Sequence, residues 1–245
     1  MRRLLLAAAL APPLLLLLSG IAAAQQISVD LGESGSVTAV SLQLIALITL
    51  LSLAPGIAVM VTCFPFIVTV LAILRQALGL QQSPPNMLIV SLALFLTFFV
   101  MEPTFTEAWT QGIAPLLDER IELVEATERT IAPFRAFMAG RCDPATFETM
   151  SELRPGTGGT ALAPEAPLSL LIPSFMLSEI ARAFQVGFLI FLPFLIIDLV
   201  VAAVLMSMGM MMVPPAIVSL PFKLAFFVIA DGWSLLSGAL VRSYF

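Results

Sequence analysis

The sequence predicts an all-α, membrane-associated protein made of Pro-broken helical hairpins with a small helical periplasmic segment, packed in an oligomer. The 245-residue chain is 60% hydrophobic and only 11% charged, whereas soluble domains carry about 25% charged residues. Its apolar stretches are long enough for membrane helices. Prolines and isolated charges interrupt these stretches, and such features need protein neighbours at membrane depth.

The composition excludes several classes of enzyme. The chain contains no histidine, and its two cysteines, Cys63 and Cys142, are far apart. Without histidine, Ser-His-Asp and Cys-His catalysis are excluded, and the commonest transition-metal ligand is missing. No Cys-x-x-Cys motif is present, so two free thiols are expected. We therefore expect no enzyme activity, no cofactor and no metal site.

Residues 1–24 predict a secretory signal peptide. Arg2 and Arg3 form a positive n-region before an apolar stretch, and Ala22 and Ala24 supply the small residues of a cleavage site. An uncleaved membrane anchor is the alternative, but the apolar run is short for a span. Cleavage after Ala24 leaves a polar lead over residues 25–36.

The first apolar helical hairpin is predicted to end at residue 101. Residues 37–74 carry no charge, which is too long for one span of ~20 residues. Pro55-Gly56 predicts a break, so we expect helices over 37–54 and 57–80.

The return run of this hairpin, residues 87–101, follows a turn and ends at Glu102-Pro103. As a helix it rises only about 22 Å, against a hydrocarbon core of ~30 Å. Either the bilayer thins or this run packs inside protein.

Residues 102–167 form an acidic segment that contains 11 of the 16 acidic residues. Glutamates recur every three residues from Glu119 to Glu128, which predicts a surface helix from about Pro115 to Gly140. A cation site is the alternative to a solvated helix face. Residues 154–167 predict a loop. With a cleaved signal peptide and two hairpins, this segment is expected in the periplasm.

Residues 168–245 predict a second apolar helical hairpin that carries isolated charges. Glu179 and Arg182 are neighbours on one helical turn and can pair, whereas Asp198 has no basic residue within one turn. Unpaired charges at this depth are costly, so they should be neutralised within or between subunits. The candidate buried charges for subunit contacts are Glu179, Arg182, Asp198, Lys223 and Asp231.

A methionine-rich loop lies within this second hairpin. Five of the seven residues from 206 to 212 are methionine, and such a cluster makes a deformable apolar surface. Gly209 permits a bend, and Pro214 and Pro215 stop the helix. Filling a hydrophobic helix is the ordinary alternative for methionine. The methionines are Met206, Met208, Met210, Met211 and Met212.

Several runs of residues occur in an order that is typical of one family. They are Pro84-Pro85-Asn86, the runs 92–99, 183–188 and 191–200, the methionine-rich loop, the run 220–224 and Asp231-Gly232-Trp233. Over about residues 38–245 the chain resembles the FliP family of flagellar biosynthetic proteins, which form part of the type III secretion export gate.

The resemblance implies a channel-forming subunit for protein transport in bacterial flagellum biogenesis. About five copies would assemble with FliQ and FliR, beside other export apparatus membrane proteins, into a helical gate. The gate would lie in the inner membrane, in the flagellar basal body, and pass unfolded flagellar subunits. The methionines would form a gasket that seals the closed pore. No nucleic acid partner is implied.

The chain departs from the family pattern in two places. Pro65-Phe66 stands where the family commonly has Thr-Arg, which predicts a missing buried cation and an extra helix break. The family commonly has Lys two residues after the glutamate at 179, whereas here that site is Ala181 and the base is Arg182. Subunit contacts near both sites are expected to differ.

Other functions stay open at this point. The same gate subunit can belong to a virulence-type secretion system. A proton or ion transporter with Glu179, Asp198 and Asp231 as carriers is a different class, although no transporter-type repeat is evident; proton movement by the isolated chain in liposomes would identify it. An intramembrane enzyme lacks a nucleophile–base pair.

Overall fold

A computed structural model describes residues 37–80, 84–210 and 212–245. The predicted signal peptide with Ala22 and Ala24, the polar lead and Met211 lie outside these ranges. Every regular element in the described part is helical, which confirms the all-α class. The helices are α1 (Val37–Met60), α2 (Phe64–Ala77), α3 (Asn86–Ala108), a π-helical turn (Trp109–Ile113), α4 (Ala114–Leu117), α5 (Leu123–Arg141), α6 (Pro144–Leu153), α7 (Leu168–Ser207), α8 (Pro215–Ile229) and α9 (Gly232–Arg242).

The first helix break lies later than the sequence predicted. α1 continues through Pro55-Gly56, and the chain turns at residues 61–63 instead. An interior proline removes one backbone hydrogen bond, but the apolar helix around it is retained. This turn supplies the extra break predicted at Pro65, because the next helix begins at Phe64. Pro65 occupies the first turn of α2, where its missing N–H would have no intrahelical partner anyway.

The return run of the first hairpin does not end at Glu102-Pro103. α3 passes through Pro103, and helical structure continues through the π-helical turn and α4 to Leu117. Asn86–Leu117 therefore spans 32 residues, which removes the length mismatch. Gly112 in the π-helical turn allows a close approach by α5, since an added Cβ would lie 2.7 Å from the backbone nitrogen of Thr130.

The single helix predicted from about Pro115 to Gly140 is divided into α4 and α5 in the structure. α5 begins at Leu123, eight residues after the predicted start, because a turn with Glu119 at a positive φ of 54° interrupts the chain. α6 follows α5, and the predicted loop over 154–167 is confirmed. The glutamates from Glu119 to Glu128 are exposed, and Glu125 pairs with Arg129 on the α5 surface.

The core of residues 53–245 is built around α2, which packs most extensively along α7. The α2 side chains Phe66, Ile67 and Val70 are fully buried. A second cluster joins α5, α6 and the start of α7 around Met138, Phe147 and Phe175, which are also buried. α7 is 40 residues long and continues through Pro173 and Pro193, so these prolines of the second apolar stretch do not end the helix.

Gly187 sets the distance between α2 and α7. An added Cβ at this position would lie 2.4 Å from Ile73 Cδ1 and 3.2 Å from Ile73 Cβ. Gly187→Ala is therefore expected to destabilise the protein by about 1–3 kcal/mol, the usual cost of overpacking. Ile73→Ala in the same chain should recover part of the loss. Thermal unfolding in detergent measures both effects.

Gly140→Ala is the matched control for this prediction, because Gly140 is a helical glycine with nothing within 4 Å of an added Cβ. Alanine there should be neutral or stabilising. Equal unfolding temperatures for Gly187→Ala and Gly140→Ala would show that α2 and α7 do not depend on this close approach.

Three helical stretches in the described residues are long and apolar enough to cross a membrane. They are Ser41–Met60, Asn86–Leu117 and Leu168–Ser207. α8 and α9 together form a fourth if the pair, bent by 62°, is taken as one span. The predicted membrane association is thus supported by length and composition, and α2 is a shorter apolar helix.

Candidate functional site

The methionine-rich segment forms the tight turn between α7 and α8. α7 ends at Ser207. Gly209 has a φ of +75°, a backbone conformation that residues with a Cβ atom rarely adopt. The Met210 N–H donates to the carbonyl of Leu205 at 3.0 Å. Pro214 caps α8, and Pro215 lies in its first turn. The predicted hinge residues Gly209, Pro214 and Pro215 therefore lie where the chain reverses.

The methionine side chains that the structure describes in this turn are exposed in the isolated chain. Met212 is the extreme case, at 98% of its full accessible surface. The other described methionines of the predicted gasket, all more than 40% exposed, are Met206, Met208 and Met210. An exposed apolar cluster needs a cover of protein or lipid.

A wholly apolar groove lies beside this turn, between α7 and α8. Its volume is 540 Å³. We call it the α7–α8 groove, and it is lined by Ile196, Ile197, Val200, Val201, Val204, Leu205, Met208, Met210, Val218 and Phe222. The turn and the groove thus form one continuous apolar surface at the end of the hairpin.

Asp198 and Lys223 form a buried ion pair that ties α7 to α8 and α2. The Lys223 ammonium donates to Asp198 Oδ2 at 2.6 Å and to the carbonyl of Ala77 at 3.0 Å. The Ser219 hydroxyl donates to Asp198 Oδ1 at 2.5 Å. The Lys223 side chain is 5% exposed and that of Asp198 is 33% exposed. Asp198, which has no basic neighbour on its own helix, is therefore neutralised from the facing helix.

Glu179 is the centre of a second charged cluster and is fully buried. Arg141 Nε from α5 donates to Glu179 Oε1 at 3.2 Å, and Arg182 Nη1 donates to the same oxygen at 3.1 Å. The Tyr244 hydroxyl donates to Oε2. Arg141 also donates to the Ser243 carbonyl at 2.8 Å. We call this set the Glu179 cluster.

An aromatic cage surrounds Tyr244 in the Glu179 cluster. The Arg141 guanidinium lies 4.0 Å from the centre of the Tyr244 ring, a cation–π distance. Phe137 stacks on the same ring, and Phe66 meets it edge-on. Burial raises the pKa of Tyr244, and the Glu179 carboxylate raises it further, so the hydroxyl stays protonated as a donor. Phe66, where the family resemblance leads one to expect arginine, is thus an apolar wall of this cage.

The sequence predicted only part of this arrangement. Glu179 and Arg182 pair as their spacing indicated, and Lys223 supplies the partner that Asp198 lacked. Arg141, Tyr244 and Ser219 were missed, although Tyr244 is the only tyrosine of the chain.

Asp231 lies apart from both charged groups. It is exposed, has a positive φ of 48° and precedes α9. It forms no ion pair within the described part of the chain. An ion pair of the Asp231 carboxylate would therefore have to come from outside these residues.

The two cysteines are free and buried, and each lies outside the candidate spans. Burial raises the pKa of Cys63 to about 12. It also raises the pKa of Cys142, whose thiol lies 3.7 Å from the Ser178 hydroxyl. Both thiols stay protonated at neutral pH, and no cluster of metal-ligating side chains is found in the described ranges.

Comparison with known proteins identifies the family to which this chain belongs. A family model described as "FliP family" matches residues 47–240. The chain belongs to the FliP family. The resemblance stated from the residue runs is confirmed.

Individual FliP relatives cover most of the chain. It is 52% identical to flagellar biosynthetic protein FliP of Caulobacter vibrioides, over 91% of this chain and 83% of the relative. Identity is 49% to the FliP of Rhizobium meliloti, over 92% of this chain and 94% of the relative. The FliP of Bacillus subtilis is 45% identical, over 83% of this chain and 92% of the relative. All three relatives are named flagellar biosynthetic protein FliP.

Proposed function

We propose that this chain is a channel-forming subunit of the flagellar type III protein export gate, and that its methionine turn seals the closed pore. The observation that carries the proposal is the exposed methionine cluster at the turn between α7 and α8 in a FliP family member. We propose a structural channel role without covalent chemistry.

The side-chain chemistry of the turn suits a gate that passes unfolded chains. Methionine has three side-chain torsions and no branch, so several copies can close on an empty pore or around a varied peptide. An apolar constriction also stops ions by dewetting. Branched or aromatic side chains would fit one diameter only. Gly209 and Pro214 confine the bending to the turn.

The proposed partners are further copies of the chain, about five in all by family resemblance, together with FliQ and FliR. Other export apparatus membrane proteins would surround the gate, and unfolded flagellar subunits would be its cargo. Large apolar side chains that remain exposed on α3 and α7 support this assembly, since they need a cover of protein or lipid. They include Phe95, Phe98, Phe99, Phe184 and Phe188.

The proposed location is the bacterial inner membrane at the flagellar basal body, with the acidic segment 102–167 in the periplasm. The exposed glutamates of α5 support a location of this segment in aqueous solvent. The Glu179 cluster and the Asp198–Lys223 pair would hold each hairpin in the shape that neighbouring subunits contact. Because Asp198 and Glu179 already have basic partners, they fit this role better than that of proton carriers.

The gasket is tested by replacing Met210, Met211 and Met212 with alanine together. The loop lines a lumen in this proposal, so assembly should be largely kept while the closed pore leaks small ions. Membrane conductance is measured in cells that overproduce the protein with its partners, and the amount of assembled complex is measured in parallel. Conductance should rise above that of the parent gate, and the cells should grow poorly.

Met60→Ala combined with Met87→Ala is the matched control, since both methionines are exposed and lie far from the turn in sequence. This variant should assemble and hold ions like the parent. Parent-like conductance in the triple variant, with assembled complexes confirmed, would exclude the gasket role.

A further inference from the structure

A groove between α2, α3 and α8 combines an apolar wall with one arginine. Its volume is 310 Å³, and its floor includes the buried α2 side chains Leu71 and Leu74. Leu88 on α3 and Val228 on α8 line its open side and are 60% and 74% exposed. Arg75, near the end of α2, is the one charged residue that the described part of the chain contributes to the lining. We call this site the Arg75 groove.

Arg75 has no acidic partner among the described residues. Its Nη1 donates to the side-chain carbonyl of Asn86, which is a neutral acceptor. The sequence contains no aspartate or glutamate between residues 37 and 101. In the second hairpin, Asp198 pairs with the α8 lysine, and Asp231 forms no ion pair within the described ranges. The carboxyl end of α2 favours a cation, but the N–H donors of a guanidinium still match a carboxylate or a phosphate.

The polar and apolar parts of the groove follow the direction of a membrane lipid. Arg75 and Pro84 line the end beside the turn between α2 and α3, and the candidate span Asn86–Leu117 begins at the same turn. In a bilayer this end lies where the span meets the membrane surface. From Leu78 to Leu71 the floor continues for about 10 Å along α2, away from the turn. A charged group at the surface thus leads into an apolar channel at membrane depth.

We propose that the Arg75 groove binds an anionic phospholipid of the surrounding bilayer. The lipid phosphate accepts hydrogen bonds from the Arg75 guanidinium, and one acyl chain lies along Leu74 and Leu71 between α3 and α8. Basic pockets between membrane helices are sites where anionic headgroups bind. The inference requires that the candidate spans lie in a bilayer, but it does not depend on the methionine seal.

A phospholipid matches both parts of the groove, whereas a protein partner matches only one of them. An acidic side chain from a neighbour neutralises Arg75 but is too short to cover a floor of about 10 Å. An apolar helix covers the open side but leaves the guanidinium without an anion, which is costly at membrane depth. The volume of 310 Å³ is at the lower limit of the ~300–1,000 Å³ that is usual for ligand sites. This size suits one acyl chain and excludes a helix.

The bound lipid connects the two hairpins. Its headgroup lies at the turn of the first hairpin, and its chain contacts Leu224 and Phe227 on α8 of the second. A lipid in this position adds contacts between α2, α3 and α8. Anionic lipid should therefore stabilise the folded chain, as any ligand of the native state does.

Photolabelling in bilayers of stated composition tests the site. The assembled complex is placed in nanodiscs of equal parts phosphatidylglycerol and phosphatidylcholine, and one of the two lipids carries a diazirine in its acyl chain. Mass spectrometry of the irradiated protein locates the labelled residues. We expect labelling around Leu88 and Val228 that is roughly fivefold stronger with the phosphatidylglycerol probe, the contribution of one basic residue at an anionic membrane surface. Arg75→Gln should remove this preference, and Arg75→Lys should keep it.

Two control variants match the changes in charge and in shape. Arg242→Gln controls for charge, because Arg242 also lies in the last turn of a helix but outside the groove. It should keep the parent preference. Leu88→Trp narrows the open side and should lower labelling by both probes. Leu94→Trp controls for shape, since Leu94 is 50% exposed on the same helix and does not line the groove. All variants are compared at equal amounts of assembled complex.

Equal labelling by the two probes in the parent complex would overturn the inference. So would a phosphatidylglycerol preference that Arg75→Gln leaves unchanged. A missing label around Leu88 and Val228 in the assembled complex would show that protein covers the groove, which also contradicts the proposal. The methionine seal is tested separately by the conductance of the alanine variants, so the two proposals fail independently.

Discussion

Glu179→Gln is expected to cause the largest loss of stability among single substitutions in this chain. Glutamine keeps the shape of the side chain but removes the only carboxylate of the Glu179 cluster. Arg141 and Arg182 then face each other without a counter-charge, and their side chains are 17% and 35% exposed. Breaking a buried ion pair in this way costs about 3–5 kcal/mol. Thermal unfolding of the purified protein in detergent measures the loss.

Tyr244→Phe separates the charge effect from the packing effect. It removes the hydroxyl that donates to Glu179 but keeps the ring against Phe137 and Arg141. The expected cost is about 1.5–3 kcal/mol, the value of one hydrogen bond to a charged group. The effect should therefore be smaller than that of Glu179→Gln.

Glu125→Gln is the surface control for the same prediction. The Glu125–Arg129 pair lies on α5 with both side chains 49% exposed, and exposed pairs contribute about 0.2–1 kcal/mol. If Glu179→Gln unfolds at the same temperature as Glu125→Gln, the Glu179 cluster does not stabilise the fold.

Lys223→Met should give the second large effect. Methionine fills most of the lysine volume, but it leaves Asp198 with Ser219 as its only partner among the described residues and removes the Lys223 donor from the Ala77 carbonyl. The free energy of unfolding should decrease by an amount near the lower end of the range of about 3–5 kcal/mol for a broken buried pair, because the Asp198 side chain is 33% exposed. We expect a lower unfolding temperature and a lower yield of assembled complex.

The double variant Lys223→Met with Asp198→Asn tests whether charge is the cause. Replacing both members of a buried pair is often close to neutral, so the double variant should be more stable than Lys223→Met alone. The difference between the double variant and the sum of the single variants gives the coupling energy. Strictly additive losses would mean that Lys223 stabilises the fold through packing.

Composition and charge spacing were sufficient to predict the helical class and the Glu179–Arg182 pair. The helix ends were harder to predict, because the effect of a proline depends on its position in the helix. Pro55, Pro103 and Pro193 lie inside helices. In an apolar surrounding the backbone has few alternative hydrogen-bond partners, and the helix is kept. Pro65 and Pro215 lie in first turns, where proline is favoured.

The remaining partners in the candidate site come from distant parts of the chain. Arg141 is 38 residues from Glu179, and Lys223 is 25 residues from Asp198. No periodicity connects such pairs, since their proximity depends on how α2, α5 and α8 pack against α7. The methionine turn was predictable because its glycine, prolines and methionines are consecutive in the sequence.

The position of α2 between the two charged groups has a consequence for how the chain opens. Phe66 near its start contacts Tyr244, and the Ala77 carbonyl at its end accepts from Lys223. Local opening of α2 would have to break both attachments, so its amides should exchange with deuterated water only on near-global unfolding. The amides of the methionine turn have few such attachments and should exchange early. Slow exchange in α2 and fast exchange in the methionine turn would mean that the turn deforms while the helices that support it stay folded.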